Sequence, residues 1–217
     1  MLKRLLVVMM ALCMLLTVLT ACGGTAGKND GSAAKGNSDI DKALEDLEQL
    51  EDEAGVVVDE NIKDLLEDID EADIDAAAAA NANSDVKVSA DLAEGWERDE
   101  DTPLLLNATN GTRLLSVVGY PKPSDMNIAE YAEKNREQMV EYFPDATISA
   151  VENKRLGNYD GAGIDFEYAI TKSMVQKQIY FYFFEGERAY MIQGAYMIDD
   201  EGAAGDVEAA MASIKIE

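Results

Sequence analysis

The run Val175-Gln-Lys-Gln-Ile179-Tyr-Phe-Tyr-Phe-Phe184-Glu-Gly-Glu-Arg-Ala189-Tyr-Met-Ile192 decides the fold. Successive side chains of a strand point to opposite faces. Ile179, Phe181 and Phe183 therefore share one face, and Tyr180, Tyr182 and Phe184 share the other. Bulk on both sides marks a central strand covered on each face. Glu185-Gly186-Glu187 turns the chain into a second run, Ala189 to Ile198, which predicts an antiparallel hairpin.

Upstream, Thr147 to Val151 and Gly163 to Ile170 read as further strands. Pro103 to Thr109 and Thr112 to Tyr120 are β-rich runs joined by Asn110-Gly111, a strong hairpin signal. Val86, Val88 and Ala90 alternate with polar residues, as in a half-exposed strand. Between these runs the period becomes helical. Ile128, Tyr131, Ala132, Met139 and Phe143 line one side of a helix that Asn127 and Glu130 cap as a box and Pro144 ends. Downstream, Ala203, Val207, Ala210, Met211 and Ile214 predict a closing helix. The order of strands, helix, long meander and helix is α+β, a mostly antiparallel sheet sandwiched by helices.

Val86-Lys-Val-Ser-Ala90 and Gly95-Trp96 resemble the opening of the PsbP-like family. The same family pattern has a helix around Ile128-Ala-Glu-Tyr131 and Asn158-Tyr159-Asp160-Gly161 before a strand. It continues with a strand ending Ala189-Tyr190-Met191-Ile192 and a closing Met211-Ala-Ser213-Ile214. The resemblance covers residues 85–217 and departs where relatives often place a proline before Gly-Trp, since Ala93-Glu94 stand here. It implies an αβα sandwich. That fold recurs in photosystem-associated lumenal proteins, a nuclear GTPase-binding protein and many bacterial lipoproteins, and the lipoprotein branch fits this chain best.

The N-terminus carries an address. Residues 1–21 read as a signal peptide, with Lys3 and Arg4 ahead of an apolar run from Leu5 to Leu19. That run is short for a membrane span of roughly 20 residues. Leu19-Thr20-Ala21-Cys22, followed by Gly23-Gly24, resembles the lipobox of bacterial lipoproteins. The resemblance implies diacylglyceryl attachment to Cys22, cleavage before it and a lipid-anchored position on the extracytoplasmic face of the cell membrane. Two acyl chains hold such an anchor where one alone is marginal. Cys13 leaves with the leader, so no disulfide is expected.

Residues 22–38 are the lipidated cysteine and a flexible tether, whose 16 residues after Cys22 span about 20–24 Å as a coil. Residues 39–75 hold 17 acidic and two basic residues, with apolar side chains at helical spacing: Ile40, Leu44 and Leu47, then Val58, Ile62, Leu65, Leu66 and Ile69. Three readings stay open for this acidic amphipathic segment. It is a solvated spacer, a helical hairpin that docks on the globular domain or a partner, or a loose cation site around Asp68, Asp70, Glu71, Asp73 and Asp75. Residues 76–84 form an Ala/Asn-rich spacer, and residues 85–217 the globular domain.

The 217 residues carry 18 Lys+Arg against 43 Asp+Glu, a formal charge of −25, and no histidine. Loss of Lys3 and Arg4 leaves 16 basic against 43 acidic residues, or −27. This balance excludes a nucleic-acid surface, which needs basic residues. Without histidine, no His-based triad, proton shuttle or His-ligated zinc is available. Neither a catalytic residue, a cofactor nor a metal ligand set is read from the chain. Lys172-Ser173 is formally a Ser–Lys pair but reads as surface, and Asp199-Asp200-Glu201 as a solvated loop or helix start, with a cation site as the alternative. Asn107-Ala-Thr109 and Asn110-Gly-Thr112 read as turn chemistry. Trp96 reads as core, and Tyr180, Tyr182, Tyr190 and Tyr196 as buried unless one helix leaves them open. The functional expectation is a membrane-anchored, non-enzymatic protein-binding or scaffold module with an envelope or membrane protein partner. The alternative is a lipoprotein that binds a small molecule or divalent cation.

Overall fold

The structure, a computed structural model, describes residues 85–99, 104–170 and 174–217. The readings on residues 1–84, Cys22 included, and on Lys172-Ser173 lie outside these residues.

The described residues form an eight-stranded antiparallel sheet with a helix on each face. Its strands are β2 (Glu97–Arg98), β3 (Leu106–Asn110), β4 (Arg113–Pro121), β5 (Thr147–Ile148), β6 (Glu152–Leu156), β7 (Tyr159–Ala169), β8 (Val175–Glu185) and β9 (Arg188–Met197). They run in the order β2-β3-β4-β9-β8-β7-β5, with β6 also paired to β7. Helix α1 (Ile128–Tyr142) packs on β5, β7 and β8, and helix α2 (Ala203–Ala212) on β9 and β4 from the opposite side. A separate pair joins the two ends of the domain: β1 (Val88–Ser89) lies antiparallel to β10 (Lys215–Ile216). This is the α+β antiparallel architecture expected from the sequence.

β8 is interior and buried on both faces. Tyr180 and Tyr182 join the core under α1, while Phe181 and Phe183 join the core under α2. Each such side chain contributes about 1.5–3 kcal/mol by burial. The capping box forms as read: Asn127 Oδ1 accepts from the Ala129 and Glu130 amides, and the Asn127 amide donates to Glu130 Oε2. The helix closes at Tyr142, with Phe143 as its C-cap before Pro144.

The structure corrects several local readings. The Thr112–Tyr120 hairpin is real, but Asn110 ends β3 and pairs with Arg113, so the two-residue loop is Gly111-Thr112. Gly111 carries φ +58° at the first loop position, the type II′ arrangement. The Gly157-Asn158 and Gly186-Glu187 loops repeat that device, with φ +55° and +58°. Asn107 is buried inside β3, not in a turn. β7 begins at Tyr159, four residues before the expected Gly163, and pairs with the unforeseen β6. Glycine is a poor strand former, but here it is needed: a Cβ at Gly161 would come within 2.1 Å of the Tyr182 carbonyl oxygen. β6 reads Glu-Asn-Lys-Arg-Leu and is an exposed edge, so it lacks the apolar alternation that marks half-buried strands. β5 is two residues rather than the five of Thr147 to Val151, and β1 is confined to Val88–Ser89.

Candidate functional site

The register of β3, β4, β9 and β8 lines up a row of polar side chains beneath the α1 face. Asn107 pairs with Ser116, Ser116 with Gln193, and Gln193 with Tyr180. Gln178 and Gln176 follow on the same face of β8, and Gln176, Gln178 and Gln193 are all 0 % exposed. Ser116 Oγ donates to Gln193 Oε1 at 3.4 Å. Gln193 Nε2 donates to Gln178 Oε1 at 2.9 Å and lies 3.1 Å from Tyr180 Oη. Tyr180 Oη in turn donates to Gln178 Oε1, and Gln178 Nε2 to Gln176 Oε1. Helix α1 brings Asn135 and Gln138, both buried, to the same face, and Asn135 Nδ2 donates to the Tyr131 carbonyl at 2.7 Å. The amides of Gln176, Gln178 and Gln193 are tolerated in the interior because they bond to one another, and such a network fixes one arrangement of its strands. Burial pushes the Tyr131 hydroxyl up to about 12, against a weaker lowering by its hydrogen bond to Asn135, so it stays protonated at neutral pH. The row offers neutral donors and acceptors, not acid–base chemistry.

A second feature lies at one end of the sheet. A cleft of about 560 Å³ is lined by the Gly111-Thr112 loop, Arg113, Met174, Met197, Asp199 and Asp200. Arg113 grips Asp200 with two bonds, Nε to Oδ2 at 3.0 Å and Nη2 to Oδ1 at 2.8 Å, while Thr112 Oγ1 donates to Oδ2 at 3.1 Å. Arg113 also pairs with Asp206 on α2. The Arg113 hydrogen bonds hold the Asp200 carboxyl below the usual carboxylate range, and the same bonds raise the Arg113 guanidinium. Of the acidic triplet, Asp199 and Glu201 are exposed and Asp200 is engaged. Among the described residues no group of three or more acidic or thiol side chains is placed to hold a metal. Ile198, beside this loop, is 49 % exposed.

On the α2 side, Lys177 reaches Asp165 at 3.0 Å and Glu167 at 3.5 Å, and Lys154 reaches Asp165 at 3.8 Å. Lys154 and Asp165, with Glu208, line a smaller cleft of about 380 Å³ that also includes Ile179, Phe181 and Met211.

The structure places Tyr180, Tyr182, Tyr190 and Tyr196 in the interior, two on each face. Trp96 is half-buried and packs against the core under α2, at its edge rather than inside it. Arg113 and the amide row were missed by sequence reasoning. The row left one signal: Gln176 and Gln178 share the parity of Tyr180 and Tyr182, hence a buried face. Arg113 left none, because its partner lies 87 residues away.

No family model matches the chain, and no curated protein matches it. Among solved structures it is similar to LpqN, described as involved in cell envelope biogenesis of Mycobacterium tuberculosis, at 8 % identity and TM-score 0.44. That match covers 62 % of this chain and 85 % of LpqN. It is also similar to the cyanobacterial PsbP of Synechocystis at 10 % identity and TM-score 0.44, over 61 % of this chain and 92 % of that one. Likeness at this level carries no functional argument.

Proposed function

We propose that this chain is a membrane-anchored extracytoplasmic lipoprotein whose PsbP-like domain acts as a non-enzymatic protein-binding or scaffold module. The leader and Leu19-Thr20-Ala21-Cys22 support lipidation at Cys22. The observation that carries the reading is where the chain enters the domain. β1 pairs with β10, and the Ile216 amide donates to the hydroxyl of Tyr159, the first residue of β7. The cleft lined by Met174, Met197 and Arg113 lies at the other end of β7 and β8. At about 3.3 Å per residue, β7 separates the two ends by about 33 Å. Residues 22–84, which precede β1, are read as the link to the bilayer, and the acid-rimmed cleft is the surface this reading offers to other envelope components. Asp199 and Glu201 there, and the overall charge of −25, favour a basic partner surface.

In-cell crosslinking with mass spectrometry tests this reading. One recurrent envelope or membrane protein is expected, with crosslinks on the Gly111 and Asp199 loops. Cys22→Ala should move the protein out of the membrane fraction and abolish labelling by a palmitate analogue. A protein that stays in the membrane after that substitution, or that yields no reproducible partner, refutes the corresponding half of the proposal.

A further inference from the structure

We infer that the cleft between α2 and β6 binds a small zwitterion with an apolar body, an α-amino acid carrying a large aliphatic or aromatic side chain. At about 380 Å³ the cleft falls within the size range of small-molecule sites, about 300–1,000 Å³. It exists because α2 packs chiefly on β9 and β4, so that side of β7 and β8 carries no helix of its own. The observation that points to an occupant is Gly163, in the interior of β7. Glycine weakens a strand, and it marks a place where a neighbouring backbone or a ligand comes close. At Gly161 the neighbour is the Tyr182 carbonyl. At Gly163 the three atoms nearest to an added Cβ are Cδ, Cε and Nζ of Lys154, the far end of a flexible side chain. Nor does Gly163 have the positive φ that favours glycine. The fold does not itself call for glycine at this position.

Lys154 fills the space that the missing side chain leaves. Its stem lies over Gly163, whose partner across the β7–β8 ladder is Phe181. Phe181 and Ile179 line the cleft but are only 0 % and 7 % exposed. The hold on Lys154 is slight. Its Nζ lies 3.8 Å from Asp165, a carboxylate that Lys177 already meets at 3.0 Å. A lysine stem packs on apolar surface while its head stays in water, so it swings outward at little cost. That swing uncovers an apolar seat beside Phe181, Ile179 and Met211 and leaves an ammonium at its rim. The opposite wall supplies the other charge. Glu208 on α2 lines the same cleft, is exposed and makes no ion pair among the described residues. One cation and one anion on opposite walls of an apolar seat set the ligand. A carboxylate pairs with Lys154 and an ammonium with Glu208, each as a charge-assisted hydrogen bond, while the ligand's side chain lies against Phe181. A simple anion would be opposed by Glu208 and Asp165, and a metal ion by Lys154.

The test is calorimetric titration of the full chain in detergent with L-leucine and L-phenylalanine, beside the single-charge leucine analogues isocaproate and isoamylamine. L-leucine should bind, and each analogue about tenfold more weakly, the scale of one charge-assisted hydrogen bond. Glu208→Gln should weaken L-leucine by about the same factor and close its gap over isocaproate, because the ammonium then has no partner to lose. Lys154→Met should close the gap over isoamylamine in the same way. Gly163→Val should abolish binding while the thermal midpoint stays level or rises, since valine suits a strand better than glycine. If that variant does not fold, Gly163→Ala is read in its place, with binding lost and the midpoint kept. Failure of both amino acids to bind, an analogue that binds as tightly as L-leucine, a gap over isocaproate that survives Glu208→Gln, or undiminished affinity in the folded Gly163 variant overturns the inference.

Discussion

The two faces of the sheet are closed by different means. On the α2 face the contact is apolar and tight: Val207 and Met211 lie where Gly194 has no side chain, and a Cβ there would come within 2.5 Å of each. Both ends of the stretch 85–217 lie over that side, through Val86, Val88, Trp96 and Ile216. On the α1 face the centre is a row of amides and hydroxyls flanked by aromatic rings, with Tyr131 edge-on to Tyr182 and Phe143 edge-on to Phe166. A packed apolar face depends on volume, whereas a polar one depends on every partner being present. The same class of substitution should therefore cost differently on the two faces.

The largest effect is expected from Phe181→Ala on the α2 face, about 3–5 kcal/mol in urea unfolding, because the residue is fully buried and the sheet cannot collapse around the cavity. An effect below about 1 kcal/mol would mean that α2 is loosely seated. Next is pH. Tyr131 titrates near 12 when folded and near 10 when unfolded, so its contribution is complete below pH 10 and is lost as pH rises through 12. The unfolding midpoint should fall between those values, and Tyr131→Phe should fall less steeply. Equal slopes would show that Tyr131 ionises without cost in the fold.

Gln193→Leu should cost about 1–3 kcal/mol, since it strips partners from Ser116, Gln178 and Tyr180 in a buried site. A neutral outcome would remove the contrast between the faces. Arg113→Lys should cost about 1 kcal/mol by losing the two-pronged grip on Asp200, with the deficit shrinking below pH 4 as that carboxyl is protonated. The smallest change, and the one of opposite sign, is Tyr182→Phe. The Tyr182 hydroxyl is buried with no hydrogen-bond partner among the described residues, so its removal should leave stability unchanged or raise it by up to about 1 kcal/mol. A loss above that would reveal an unseen partner for the hydroxyl.

What could be read in advance follows the strength of local signals. β8 was legible because every residue from Ile179 to Phe184 is bulky, and α1 because its cap, stripe and terminating proline agree. β6 was invisible because an edge strand has no buried face to enforce alternation. β10 was invisible because two residues after a helix carry no periodicity, and it exists only through pairing with β1, 127 residues earlier. Gly161 argued against a strand locally while the close approach of the Tyr182 carbonyl required it. The amide row and the Arg113–Asp200 pair depend on register and long-range contact, which a single sequence does not display. Two of the three glycine-led hairpin loops fell within recognised turns, although the residue order within the first was misplaced by one.

The pairing of β1 with β10 has a mechanical consequence. Two backbone bonds between Lys87 and Glu217, at 2.8 and 2.9 Å, flank this short ladder. Tension on residue 85 acts on β1 directly, ahead of every strand of the main sheet. The ladder has only two paired positions, and the eight-stranded sheet begins only at Glu97. Under load the pair is expected to yield first and pay out residues 85–96, about 40 Å of slack, before the main sheet bears force. The ends of the domain thus act as an extensible fuse, and single-molecule pulling from residue 85 should record a small early release ahead of global rupture.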